Sequence, residues 1–151
     1  MIDANSIEEH YAHIYNTTTT SRKDIGDLYV NGQPINVKSH NVNKKNYSPN
    51  LISVHRVYNH LLNKDNELTF IFVYHNGEKI LNDKEVSAEH ISWNCLSIQC
   101  QGLGVIQLSK PLEIDTSQTR NTWLDSLKRN YIKYIQRERT KLNRLEDLLR
   151  N

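Results

Sequence analysis

Asp27, Asn36 and Lys38 are the residues of this chain whose types and spacing best suit chemistry. Leu28, Tyr29 and Val30 read as a short strand, Asn31-Gly32 is a strong signal for a two-residue hairpin turn, and Ile35 to Lys38 reads as the return strand. Strand side chains alternate, so Asn36 and Lys38 share one face of the return strand and Val37 points the other way. Closing the hairpin therefore carries Asp27, Asn36 and Lys38 to one end of a sheet. Such an oxygen-rich cluster suits a hard cation such as Mg²⁺, with the Asp27 carboxylate and Asn36 amide oxygen as ligands and the Val37 carbonyl available as a third. Lys38 beside a water on that cation would favour its ionisation and stabilise charge on a phosphate. The pattern fits divalent-metal phosphodiester cleavage, although the same residue types also crowd ordinary solvated hairpins.

The elements that must hold this cluster are legible around it. Ser6 reads as the N-cap of a first helix, with Glu9 in the capping-box position, Ile7, Tyr11 and Ile14 or Tyr15 at helical spacing, and a stop at Asn16. Thr17 to Thr20 reads as a loop into the hairpin, and Ser39 to Asn50 as a polar, basic loop. Leu51, Val54, Val57, Tyr58, Leu61 and Leu62 recur helically, which predicts a helix over 51–62. Leu68 to His75 is a nearly continuous apolar run closed by Asn76-Gly77 and predicts a buried central strand with neighbours on both sides. Ile91 to Gln101 and Val105 to Leu108, joined through Gly102 and Gly104, predict two more strands. From Thr119 a helical pattern runs almost to the end, and its distal half, with Leu142, Leu145, Leu148 and Leu149, is expected to pair with another subunit.

The 151 residues predict one domain over 1–151 with a proper core. Cys95 and Cys100 make no disulfide framework and lack zinc-site spacing, so both read as small core residues. No apolar run is long enough for a signal peptide or membrane span, which makes a cytoplasmic location and no membrane partner the expectation. The 19 Lys and Arg against 17 Asp and Glu give no polyelectrolyte signature in the total, but distribution matters more. Lys23, Lys38, His40, Lys44 and Lys45 crowd the candidate site, and seven further Lys and Arg lie between Lys128 and Arg144. Basic groups beside a metal site fit a phosphate backbone; the C-terminal group serves equally as a solvated helix face. His10 and His13 read as surface histidines, and Trp93 and Trp123 as core anchors. No phosphate-binding glycine loop or nucleophile elbow is present.

Three collinear segments carry a family resemblance. Lys38 to Ser53, including its Pro49-Asn50-Leu51-Ile52-Ser53 ending, His90 to Gln99 with its Ile91-Ser92-Trp93, and Thr119-Arg120-Asn121-Thr122-Trp123 resemble, in order, segments of HincII-like type II restriction endonucleases. The likeness covers most of the chain from Asp24 onward. It implies an α/β fold with the PD-(D/E)xK restriction-endonuclease-like core: a mixed central sheet flanked by helices, here with a long C-terminal helix, in a homodimer around duplex DNA. By position, the resemblance makes Asp27 the first metal-binding carboxylate, Asn36 the second acidic position and Lys38 the catalytic lysine. It further makes Asn50 a DNA-contacting asparagine, Tyr47 the place of a side chain that inserts between base steps, and Ser92 a base-contacting position. Gly26 stands where the family has a proline, the family's segment ahead of the first helix has no counterpart, and Asn36 is not acidic. An amide there keeps an oxygen ligand but removes one negative charge. Glu8 or Glu9 could supply a further carboxylate, with Glu9 preferred.

The function so implied is a type II site-specific deoxyribonuclease: Mg²⁺-dependent, sequence-specific cleavage of double-stranded DNA leaving 5′-phosphate and 3′-hydroxyl ends. Its partners would be double-stranded DNA, bound through Lys44, Lys45, Tyr47, Asn50 and Ser92, a second copy of the chain, and the cognate DNA methyltransferase of the same restriction system. Asn41, Asn43, Asn46 and Asn50 suit base reading, since Asn pairs well with adenine edges. Two other readings use the same fold: a DNA-binding specificity subunit whose chemistry is weakened at Asn36, and a structure-directed repair nuclease.

Overall fold

The computed structural model describes residues 2–20 and 25–151, so Lys23 and Asp24 lie outside the described residues. In chain order the elements are α1 (Ala4–Ile14), β1 (Leu28–Val30), β2 (Gln33–Asn41), β3 (Asn50–Ser53), α2 (Val54–Leu62), β4 (Thr69–His75), β5 (Ile80–Ser87), β6 (Leu96–Gln99), β7 (Val105–Leu108) and α3 (Arg120–Arg150). Four strands make a mixed sheet in the order β1-β2-β4-β5, parallel only between β2 and β4. Three make a separate antiparallel sheet in the order β3-β7-β6. A parallel pair needs a long crossover, and β3 with α2 supplies it. The molecule is thus mixed α/β with a long C-terminal helix.

Alternation along β2 and β4 divides the core in two. Ile35, Val37, Ile71 and Val73 pack against Ile7, Tyr11 and Ala12 of α1. Phe70 and Phe72 face the other way, into a larger core with Val57 and Leu61 of α2, Ile98, Ile106 and Leu108 of the small sheet, and Trp123 and Leu127 of α3. Asn36 and Lys38 stand in register with Phe70 and Phe72, so they share the face of the larger core. Tyr11 and Tyr15 donate hydroxyl bonds to Asp83 (2.5 Å) and Glu85 (3.1 Å) of β5, which ties α1 across the sheet. At the start of α3, Trp123 Nε1 donates to the Ile91 carbonyl at 2.9 Å and Trp93 Nε1 to the Trp123 carbonyl at 3.2 Å, making both indoles anchors. Only the first half of α3 packs on the domain; Leu142, Leu145, Leu148 and Leu149 are exposed. Among the described residues no helix is long and apolar enough to cross a membrane.

Several sequence expectations are corrected. The cap of α1 is Asp3, not Ser6: Asp3 Oδ1 accepts the Ser6 N–H at 2.8 Å and Ser6 Oγ accepts the Asp3 N–H at 3.1 Å, so the capping box lies one turn earlier. The helix ends at Ile14, with Asn16 in the left-handed region at φ 55°. Ser39 to Asn41 extend β2 rather than open a loop, because they pair with Val73 to His75. Leu51 and Ile52 belong to β3, and the helix starts only at Val54, because the β3 backbone finds its partners on β7. The segment 91–101 is a strand only from Leu96. Before it a 3₁₀ turn over Trp93–Cys95 forms, since Ser92 Oγ accepts the Asn94 N–H. Cys95 is buried as expected, but Cys100 is exposed.

Gly26 fixes how closely β1 meets β2. A Cβ there would lie 2.6 Å from Pro34 Cβ and 3.0 Å from the Leu28 carbonyl oxygen. Gly26→Ala is therefore expected to cost about 1–3 kcal/mol through overpacking. The readout is a lower urea midpoint, and an unchanged midpoint would contradict this packing.

Candidate metal centre

The Asn31-Gly32 turn has positive φ at both residues, 52° and 77°, the geometry that matches strand twist in two-residue hairpins. It returns β2 alongside β1, whose ladder runs only from Val30 to Leu28. Asp27 then extends the contact twice. Its N–H donates to the Ile35 carbonyl at 2.8 Å, and its carboxylate Oδ2 accepts the Val37 N–H at 2.6 Å. The Asp27 carbonyl accepts the Thr20 N–H at 2.8 Å, so the residue is held from both sides. A strand residue directs its N–H and C=O to the same edge, so the Val37 carbonyl also leaves β2 toward Asp27.

Asn36 is 8% exposed. Its Nδ2 donates to the Ile25 carbonyl at 3.2 Å, while its Oδ1 is buried with no hydrogen-bond partner. A buried acceptor left unpaired costs roughly 1–3 kcal/mol, and such atoms in a native fold ask for an unseen ligand, water or ion. Burial pushes the Lys38 ammonium below the ordinary lysine range, opposed by the nearby carboxylates of Asp27 and then Glu8. No ion pair engages Lys38 among the described residues. Asp27 is thus tied to the β2 backbone at Val37, between Asn36 and Lys38, and its carboxylate acts on the charge of Lys38.

The oxygen donors fit a hard cation: an anchored carboxylate with one oxygen to spare, an amide oxygen that lacks a partner, and a carbonyl on the same edge. They amount to one negative charge. Among the described residues no group of three or more His, Cys, Asp or Glu stands ready to hold a metal, and His10 and His13 are exposed.

The remaining predicted positions are dispersed. Glu9 is exposed on α1, and it is the half-buried Glu8 that acts on Lys38. Lys44 and Lys45 are exposed in the turn after β2. Tyr47 packs against the larger core, stacked on His40 of β2 with ring centroids 4.1 Å apart and its hydroxyl buried. In this arrangement it is not projected toward solvent as a wedge would be. Asn50 is exposed at the start of β3 and bonded to Gln101 and Gln107. Ser92 is buried and its hydroxyl caps the 3₁₀ turn, so it presents nothing to a base edge. Sequence reasoning missed Lys110, which lines a cleft with Lys45, Tyr47 and His40, because it lies on a loop far along the chain.

No model of a known protein family matches this chain, and no curated protein matches it.

A lysine with a depressed folded pKa binds fewer protons folded than unfolded between that value and the ordinary 10.5. The stability contributed at this group therefore rises with pH through that interval and is lowest below it. Lys38→Met is expected to be more stable than the parent at pH 7, with the gap narrowing toward pH 10. Parallel urea melts across that range check this. A Lys38→Met protein less stable at pH 7 would contradict the assigned burial.

Proposed function

We propose that this chain is a divalent-metal-dependent endonuclease of restriction type, with a PD-(D/E)xK-like core, acting on double-stranded DNA. The observation that carries the reading is the buried, unpartnered Asn36 Oδ1, set beside an anchored Asp27 carboxylate and an unpaired, half-buried Lys38. Asp27 beside β1, with Asn36 and Lys38 on one face of β2, supports this reading, with an amide where such a core carries a second carboxylate.

Asp27, Asn36 and the Val37 carbonyl would hold the cation. Bound there, Mg²⁺ supplies charge neutralisation at the phosphate and a lowered pKa for an attacking water. The Lys38 ammonium would hydrogen-bond an attacking water and offset the charge that grows on the phosphoryl oxygens. Water oxygen would bond to phosphorus and release a proton to solvent, the P–O3′ bond would break and the 3′-oxygen take a proton from solvent, leaving 5′-phosphate and 3′-hydroxyl ends. Low dielectric around Lys38 strengthens its pull on the phosphate. Burial disfavours the Lys38 ammonium, and Asp27 and then Glu8 act against that effect. Lys44 and Lys45 suit contacts to the DNA backbone. The exposed Leu142, Leu145 and Leu149, spaced by three and four, support pairing of distal α3 with a second copy in a homodimer. A methyltransferase of matching specificity would protect the host.

A second reading, a DNA-binding subunit without cleavage, is favoured by the single carboxylate of the site. Digestion separates the two. Plasmid or phage DNA with Mg²⁺ should give discrete fragments, and Asp27→Ala or Lys38→Ala should lower the rate about 100-fold or more. Asn36→Asp should retain cleavage and require less Mg²⁺ for half-maximal rate, since it restores a charge. Intact DNA with retained binding would favour the subunit; normal cutting by Lys38→Ala would overturn the mechanism.

A further inference from the structure

The outer face of the three-stranded sheet carries a relay of uncharged hydrogen-bonding side chains. Register sets Gln107 of β7 between Asn50 of β3 and Ser97 of β6. Gln107 Nε2 donates to Asn50 Oδ1 and to the Ser48 carbonyl, both at 3.2 Å, and Asn50 Nδ2 donates to Gln101 Oε1 at 2.7 Å. Gln99 Nε2 donates to Ser97 Oγ at 3.0 Å beside them. Each link uses one donor and one acceptor. Among the described residues no hydrogen bond engages Gln107 Oε1 or Gln101 Nε2, which leaves an acceptor at one end of the amide chain and a donor group at the other. Asn50 and Gln101 are exposed and Gln107 half-buried.

Cations gather at one end of this neutral row. Lys44 and Lys45 precede β3, Lys110 follows β7, and none of the three makes an ion pair among the described residues. Lys45, Ser48 and Lys110 line one cleft together with His40. His40 lies two residues beyond Lys38 on the same face of β2, roughly 7 Å along the strand. The cleft therefore joins the cations and the Ser48 end of the relay to His40, two residues along β2 from Lys38.

We infer that the row reads base edges of duplex DNA, with Gln101 and Gln107 as specificity-determining residues and Lys45 and Lys110 on the flanking phosphates. This rests on the nuclease reading above. A neutral row next to unpaired cations complements a duplex, whose charge lies on the backbone and whose base edges are neutral donors and acceptors. The free Gln107 Oε1 can accept from an exocyclic amino group, adenine N6 or cytosine N4, and the free Gln101 Nε2 can donate to a base acceptor such as a purine N7, so each glutamine discriminates at one base pair. Strands as well as helices enter that groove. The mutual hydrogen bonds hold the amides in place beforehand, which lowers the entropy lost on binding.

Selection of bound sequences from a random duplex library, with Ca²⁺ replacing Mg²⁺, tests this. The parent should enrich a defined sequence. Gln107→Ala and Gln101→Ala should each lose discrimination at one base pair, about 10- to 100-fold falling to near none, with non-specific duplex affinity within about twofold of the parent. Lys110→Ala should weaken all sequences alike. If both glutamine variants enrich the parent's sequence unchanged, the row does not read bases although the nuclease reading stands. If the parent enriches nothing and cuts nothing with Mg²⁺, both fail together. Gln101 lies on an exposed turn, so its variant decides the matter even where Gln107→Ala fails to fold.

Discussion

The hydrogen bond from the Val37 N–H to the Asp27 carboxylate, 2.6 Å long, is the constraint on which the site depends. β1 is three residues long, and beyond it β2 would present an unmatched donor on that edge. The carboxylate substitutes for the missing rung. A charge-assisted bond of this kind contributes more than a neutral one, on the order of 1.5–3 kcal/mol. It also fixes which carboxylate oxygen remains free and on which edge. Gly26 lets the chain approach Pro34 closely enough for that bond to form. Asn36 and Lys38 follow from the strand's alternation once Val37 is pinned, so one contact sets the relative placement of all three groups.

Three buried polar atoms lack partners among the described residues: Asn36 Oδ1, His40 Nε2 and Tyr47 Oη. Two sit on the Lys38 face of β2, and the third stacks on one of them. Each unmade bond costs roughly 1–3 kcal/mol, so their grouping concentrates unsatisfied polarity along one line beside the candidate centre. The apolar packing on either side is correspondingly complete. Leu28, Val54, Val57, Phe72 and Val73 are wholly buried and hold the sheet between its two cores. Stability thus comes from the layers, and one face of β2 is left to polar groups that packing does not satisfy.

The parts of this architecture that the sequence revealed are those with strong local signals. Asn31-Gly32 announced the hairpin, the run from Leu68 to His75 announced the central strand, and the heptad-like apolar spacing announced α3. β5 escaped notice because Leu81 to Glu85 are exposed and largely polar, so its strand character comes from pairing with β4 rather than from alternation. Leu51 and Ile52 fit a helical pattern as well as a strand, and only the partner β7 decides between them. The site was legible where it is local, in Asp27, Asn36 and Lys38. The choice of Glu8 over Glu9 depends on helix phase, and the burial of Ser92 on a tertiary environment. Gln101, Gln107 and Lys110 join Asn50 and Lys45 only through sheet register and loop packing, which no short window contains.

Paramagnetic Mn²⁺ in place of Mg²⁺ tests the central claim most directly, because it reports the location of the cation without requiring cleavage. In amide NMR spectra of the free protein, substoichiometric Mn²⁺ should first broaden Asp27, Asn36, Val37 and Lys38, including the Asn36 side-chain amide. Asp27→Ala should abolish that selective loss. Broadening that begins elsewhere, or that is indifferent to Asp27→Ala, would contradict a metal centre at the end of this hairpin.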